Sequence, residues 1–500
     1  MGTTEATALQ EAGGGVALAS ARGRWLIATT ALGSGIVFLD GSVVNVALPA
    51  ITDDLGGGFS TLQWVLDGYL LTLSALLLLG GALGDRYGRR RLFLVGLVVF
   101  SAASVACGAA PSAGVLVGAR LLQGVGGALL VPGSLALIDA VIRPVDRGRA
   151  IGAWAGLSGV STALGPLLGG WLIDAASWRW VFLINVPLAA AVVLATARHV
   201  PESQARNASR LDVAGTIAVT TGLAGVTIAL IEVPTRGWTV FTTATGASGA
   251  VLLLAFVVIE HLHPTPLLPL SLFRSAQFTG ANLVTFAVYA ALSGGLFLLT
   301  LQLQLSLGYS ALAAGLATLP ITVEILLLSS WIGGVTQRTG PRIPMTLGPV
   351  LAAAGFVLMS HISPGCSYLP NVLPGVLVFG LGLAFTVAPL TSAVLSAVSD
   401  ERAGAASGAN NAISRVAGLV AIAVLPGAAG IDVSGADSLA QGFRSAMLIA
   451  ATACLAGGLI AALTISRGCD ARGPVPGVQL ACRPPTEPGR DDEAAGLRQG

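Results

Sequence analysis

Between residues 25 and 465 the apolar positions do not alternate with polar ones. They run in blocks of about twenty, broken by short clusters of Arg, Pro, Gly and Asp. A block of that length is what a helix needs to cross a hydrocarbon core about 30 Å thick. Read this way, the chain predicts spans near 25–48, 62–83, 92–110, 113–138, 150–173, 180–198, 212–233, 241–261, 278–305, 312–335, 343–362, 369–396, 408–428 and 443–465. That makes fourteen, and an even number puts both termini on one side of the membrane. Residues 1–24 read as a polar N-terminal tail, 199–211 and 262–277 as short linkers, and 466–500 as a disordered tail of Pro, Gly, Arg and acids.

Composition agrees with a lipid solvent. Charged residues make up 10% of the 500, against about 25% in soluble domains, and the mean hydropathy is +0.82. A net charge of +2 gives no footing for nucleic acid. In a membrane protein the location of the positive charge matters more. All 26 basic residues are arginine, and 22 of them fall to segments predicted on the side of the termini. Arg179, Arg236 and Arg444 fall on the other side, and Arg120 lies within the fourth span. This bias places both termini in the cytoplasm. The N-terminus lacks the basic-then-apolar order of a signal peptide, so insertion is expected to begin with the first span. The five scattered cysteines form no C-x-x-C, which speaks against disulfides and a metal site. The four histidines fall at predicted helix ends or in loops.

An internal repeat divides the spans. Gly81-Ala82-Leu83-Gly84-Asp85-Arg86-Tyr87-Gly88-Arg89-Arg90 aligns at constant offset with Gly333-Gly334-Val335-Thr336-Gln337-Arg338-Thr339-Gly340-Pro341-Arg342. Gly124-x-Gly126 before Pro132 is echoed by Gly380-x-Gly382 before Pro389. The second span thus matches the tenth and the fourth the twelfth, leaving spans seven and eight as an added pair. The expected domains are a six-helix bundle over 25–198, two additional helices over 212–261 and a second bundle over 278–465.

Ionisable groups inside a membrane cost about 2.5–3.5 kcal/mol each on insertion scales and mark functional sites by default. Four stand out. Asp40, about 14 Å from the far end of its span, and Arg120, about 10 Å from the same face, both lie in the outer half. They could pair, either as a static contact that fixes helix register or as a proton-coupling pair. Arg120 shares a helical face with Gln123, Gly124 and Gly127. Asp67, beside Trp64 and Tyr69, reads either as a solvated interfacial acid or as a cavity acid. Glu324 lies near mid-span. It is either a neutral structural acid or a site for a proton or a cationic substrate.

Two further motifs carry small residues and charge. Gly152, Gly156 and Gly159 form one small face of the fifth span, followed by Gly165, Pro166, Gly169 and Gly170, where tight packing and a proline bend are expected. In the loop Gly81, Asp85, Arg86, Gly88, Arg89, Arg90, the acid is placed to sit at the N-terminus of a neighbouring helix as a latch.

Together these residues resemble the major facilitator superfamily, and within it the fourteen-helix drug:proton antiporter family of QacA- and EmrB-like exporters. The resemblance covers roughly residues 25–465. It rests on Leu39-Asp40-x-x-Val43-Val44-Asn45-Val46-Ala47-Leu48-Pro49, the loop at 81–91, the arginine motif at 116–128 and the Gly-Pro motif at 156–170. Trp178-Arg179-Trp180-x-Phe182-x-x-Asn185-x-Pro187 adds to it. The resemblance implies an all-α integral membrane protein with two six-helix bundles around a cavity and two extra helices between them. It further implies export driven by the proton gradient without a cofactor, coupling through Asp40 and Arg120, and a Gly156–Gly170 motif that marks export. A small-molecule substrate, protons and the lipid bilayer are the expected partners of a monomer in the plasma membrane. Asp67, Gln123 and Glu324 are the candidate substrate-cavity residues, and the acids among them weakly favour organic cations, although a self-made antibiotic or a metabolite fits too. A proton-coupled uptake symporter and a membrane-embedded enzyme are the rival readings. The Gly165-Pro166 motif weighs against the first, and the lack of any nucleophile–base or metal cluster weighs against the second.

Overall fold

The computed structural model describes residues 15–204, 211–264, 266–399, 402–431 and 436–466. Most of the N-terminal tail, residues 205–210 of the first linker and the C-terminal tail from 467 onward lie outside the described residues. Apart from one bridge between Val16 and Ile142, regular structure among the described residues is helical. Fourteen helices are long and apolar enough to cross a membrane. In chain order they are α1 (Ala21–Leu55), α2 (Phe59–Tyr87), α3 (Arg89–Gly108), α4 (Ala113–Val141), α5 (Pro144–Ala175), α6 (Arg179–His199), α7 (Val213–Arg236) and α8 (Val240–Leu262). They continue with α9 (Ala276–Ser306), α10 (Ala311–Thr339), α11 (Arg342–Met359), α12 (Tyr368–Ser396), α13 (Ala403–Ala428) and α14 (Ser438–Thr464).

Local chemistry sets several boundaries. Ser20, Ser112, Thr239, Ser275 and Ser310 each accept a backbone N–H of the first helical turn, satisfying one of the donors a helix start leaves free. At Ile184 the hydrogen-bond ladder of α6 is interrupted, because Pro187 has no N–H to offer, while Ile184 keeps helical dihedrals of −59° and −27°. α1 departs most from expectation. Its helix runs past Pro49 through Thr52, Asp53 and Asp54 to Leu55, so Asp40 lies about 22 Å from the helix end rather than 14 Å. Hydrophobic run length locates the lipid-embedded part of a helix, and polar turns can continue beyond it. Asp54, in that extension, accepts from Trp178 Nε1 at 3.0 Å and pairs with Arg179.

The repeat in the sequence is a repeat in space. Gly88 and Gly340 close α2 and α10 with φ of 106° and 77°, the left-handed region that a glycine enters without strain. Just beyond each, an arginine caps the C-terminal carbonyls of its bundle's sixth helix: Arg90 reaches Ala197 O at 2.7 Å, and Arg342 reaches Ala462 O. Packing follows the same plan in both halves. α1 lies on α5 and α2 on α4, as α9 lies on α13 and α10 on α12. The bundles meet along two seams, α5 with α10 and α2 with α13. The added helices form a hairpin whose α7 lies across the α2–α13 seam, touching both helices.

The two seams differ in how far they close. Along α2–α13, Gln63 Nε2 donates to Ile422 O at 2.7 Å, Leu70 lies beside Gly418, and Leu78 lies beside Gly408 near the end that carries the termini. On α5–α10 the far end is tight. Gly170 abuts the Leu312 backbone and Gly315 abuts Pro166, with no room for a side chain at either glycine. Toward the termini the helices part, and a Cβ at Gly148, Gly152, Gly156, Gly159, Gly333 or Gly334 would have nothing within 4 Å. The small face of α5 is therefore used over half its length.

Candidate functional site

The sequence set Asp40 and Arg120 on two helices of the first bundle, and the fold joins them. Both are fully buried. Arg120 Nη1 donates to Asp40 Oδ2 and, at 2.6 Å, to Gln123 Oε1, while Nε donates to Val65 O at 2.9 Å. Its guanidinium lies 4.3 Å from the centre of the Tyr69 ring and 5.7 Å from that of Phe182. Asp40 Oδ1 accepts from Gln123 Nε2 at 2.8 Å and Asn185 Nδ2 at 3.0 Å, and Gln123 Nε2 also reaches Ser104 Oγ at 2.9 Å. Four helices, α1, α3, α4 and α6, thus hold one carboxylate. Taking two charges out of water is tolerable only where hydrogen bonds satisfy them, and here every oxygen of Asp40 has a donor.

The sequence reading missed Ser104, Tyr69 and the role of Asn185. Serine and tyrosine are common in spans, and no local pattern sets them apart. Asn185 was visible within the Trp178–Pro187 motif, but its partner on α1 was not.

A polar contact inside the second bundle, on the pair of helices that repeats α1 and α5, is neutral. Asn410 on α13 donates to Asn282 Oδ1 at 3.0 Å and Thr285 Oγ1 at 2.7 Å on α9. Glu324 is half-buried against α12, fitted to the space left by Gly380, and its Oε2 has no hydrogen-bond partner. It therefore belongs to the interior of the second bundle and does not share a site with Asp40.

Asp67 is not an interfacial, solvated acid. It is fully buried, and both its oxygens lack a partner. Gln63 and Leu70, one turn either side, face α13, while Trp64 donates to Glu232 Oε1 of α7 at 3.3 Å and Leu71 packs with Leu223 and Leu419. Asp67 thus points into the junction of α2, α7 and α13. The Asp85 latch also differs from expectation. Asp85 pairs with Arg89, one turn on, at 2.8 Å. The carboxylate at a helix N-terminus is Glu202, from the linker after α6, which accepts the Arg90 and Arg91 N–H groups of α3 at 3.0 and 3.2 Å.

One arginine was misplaced by the charge count. Arg415 was credited to a segment on the side of the termini, yet it lies twelve residues into α13, about 18 Å along the helix. The count on that side falls to 21, and the orientation it supports is unchanged. Arg415 stands at the face where the bundles meet. Its guanidinium lies 5.2 Å from the centre of the Phe38 ring on α1. Its Nε is buried without a hydrogen-bond partner, and no acid pairs with it among the described residues. No cluster of three or more metal-ligating side chains occurs among the described residues.

The sequence profile of the Major Facilitator Superfamily matches residues 30–422. The chain is 36% identical to the Probable actinorhodin transporter of Streptomyces coelicolor, over 80% of this chain and 72% of that one. It is 36% identical to the Multidrug resistance protein Stp of Mycobacterium tuberculosis, over 79% and 74%. It is also 36% identical to the Methylenomycin A resistance protein of Streptomyces coelicolor, over 88% and 92%. Among solved structures, the fold is similar to that of a peptide transporter, POT, with a TM-score of 0.67 at 16% identity, covering 92% of this chain and 99% of that one. The inward-open xylose transporter XylE from E. coli superposes with a TM-score of 0.61 at 14% identity, over 88% and 96%.

Proposed function

The chain belongs to the Major Facilitator Superfamily, and on that premise we propose that it exports antibiotic or drug molecules across the cell membrane in exchange for protons. The relatives named for drug resistance and antibiotic export support the direction and the class of cargo. Both termini face the cytoplasm in this reading, as the arginine bias requires. The seam that is parted at that end and tight at the other is then a state that receives cargo from inside. A single chain contains the whole pathway and acts as a monomer.

The observation that carries the coupling is the Asp40 carboxylate, sealed inside the first bundle and held by Arg120, Gln123 and Asn185. As an anion it draws α4 and α6 onto α1. A proton arriving from outside removes its charge and converts it to a hydrogen-bond donor. Arg120 is then left with neutral acceptors, Gln123 Oε1 and Val65 O, and the grip between the helices weakens. Loss of that proton to the cytoplasm restores the grip. Coupling the exchange to the membrane potential supplies about 2.3 kcal/mol per charge per 100 mV. The Gly165–Gly170 segment works as the outer closure, since Gly170 lets α5 meet the α10 backbone directly. Gly156 and Gly159 are the face left free for the opposite state.

In inverted membrane vesicles with an imposed pH gradient, the wild-type protein should accumulate a drug substrate while dissipating the gradient, and Asp40→Asn should do neither. Accumulation by Asp40→Asn at the wild-type rate would remove Asp40 from the coupling path.

A further inference from the structure

We propose that Arg415 is the recognition cation of the transport pathway, and that its preferred cargo is an aromatic acid: a planar, apolar body bearing a carboxylate, sulfonate or ionised phenol. The inference deepens the export reading and rests on it for the direction of transport, but the binding it asserts can be measured without transport.

An unpaired cation this far into a membrane protein is unfavourable wherever lipid or packed side chains surround it, so it persists only beside a partner or a wet space. Lipid is excluded as its surroundings, because α13, which carries it, is packed against α2 and α9, and its guanidinium lies against the Phe38 ring of α1. Packing has not saturated it either. Its side chain is partly exposed, its Nε lacks an acceptor, and no carboxylate approaches it among the described residues. Half-buried Asn411 and Ser414 border it on α13, and half-buried Phe38, Gly41 and Asn45 line the facing side of α1. The surroundings offer one fixed positive charge, the Phe38 ring and neutral amides. The acids expected to line a cavity lie elsewhere: Asp40 is saturated, Asp67 is enclosed among α2, α7 and α13, and Glu324 rests on α12. A guanidinium presents two parallel N–H donors to a carboxylate, and its flat face stacks on rings, so an aromatic acid satisfies both halves of the site at once.

The test uses three xanthene dyes with one aromatic body: an anionic carboxylate, its neutral ester and a cationic amine analogue. Binding to the purified full-length protein in detergent is read by fluorescence anisotropy, and transport by uptake into proteoliposomes with a proton gradient. Wild type should favour the anionic dye. Arg415→Gln should weaken binding of the anionic dye about tenfold or more while changing the ester by less than about twofold. Arg415→Lys should recover part of the loss. Equal losses for all three dyes would reduce Arg415 to a structural role and overturn the proposal, as would wild type that prefers the cationic dye or binds no anionic one. Arg415-dependent binding with no transport would uphold the recognition site and count against the export reading.

Discussion

Two arginines lie inside this membrane protein, one in each bundle, and the fold treats them oppositely. Arg120 is enclosed by its own bundle: a carboxylate, a glutamine, a backbone carbonyl and two aromatic faces account for it. Arg415 looks out of its bundle at a ring on the other one and is left with donors to spare. A cation resolved within the protein holds helices together. One left unresolved at the contact face is available to something that comes and goes. The second bundle joins α9 to α13 through neutral asparagine and threonine, and no ion pair lies inside it among the described residues.

Stability measurements on purified protein separate the two. Arg120→Ala leaves Asp40 buried without its cation and should cost about 3–5 kcal/mol, read as a large drop in the Tm of the detergent-solubilised protein. Recovery of much of that loss in Asp40→Asn/Arg120→Gln would trace it to the stranded charge. Asn185→Ala removes one neutral donor to Asp40 and should cost about 1–2 kcal/mol, placing it between the two extremes. Arg415→Gln should change stability by less than about 0.5 kcal/mol in either direction and so move Tm least, because no partner inside the protein is stranded. A Tm loss for Arg415→Gln as large as that for Arg120→Ala would erase the distinction.

The parts of this architecture readable in advance were those written in run length and in rare residue types. Fourteen apolar blocks, the Gly88/Gly340 repeat and the proximity of Asp40 to Arg120 could be found because charge and glycine are conspicuous among leucines and alanines. The extension of α1 past Pro49 was hidden, since Thr52, Asp53 and Asp54 carry no hydrophobic signal although they continue the helix. Asn185, Ser104 and Tyr69 were hidden because their roles arise only when α1, α3, α4 and α6 converge. Arg415 was in plain view within an apolar run. A count meant to establish orientation absorbed it as loop charge, whereas its position twelve residues into a helix was the signal to keep it apart. Glu202 shows the same limit in a loop: a carboxylate at the start of α3 comes from a linker more than a hundred residues away, while the nearby Asp85 turns to Arg89.

α7 lies over the α2–α13 seam, and among the described residues neither added helix lies over α5–α10 in the same way. The two added helices thus make unequal two seams that the repeat alone would leave alike: parting α2 from α13 would mean lifting α7 from one of them as well, whereas α5 and α10 carry no such added helix.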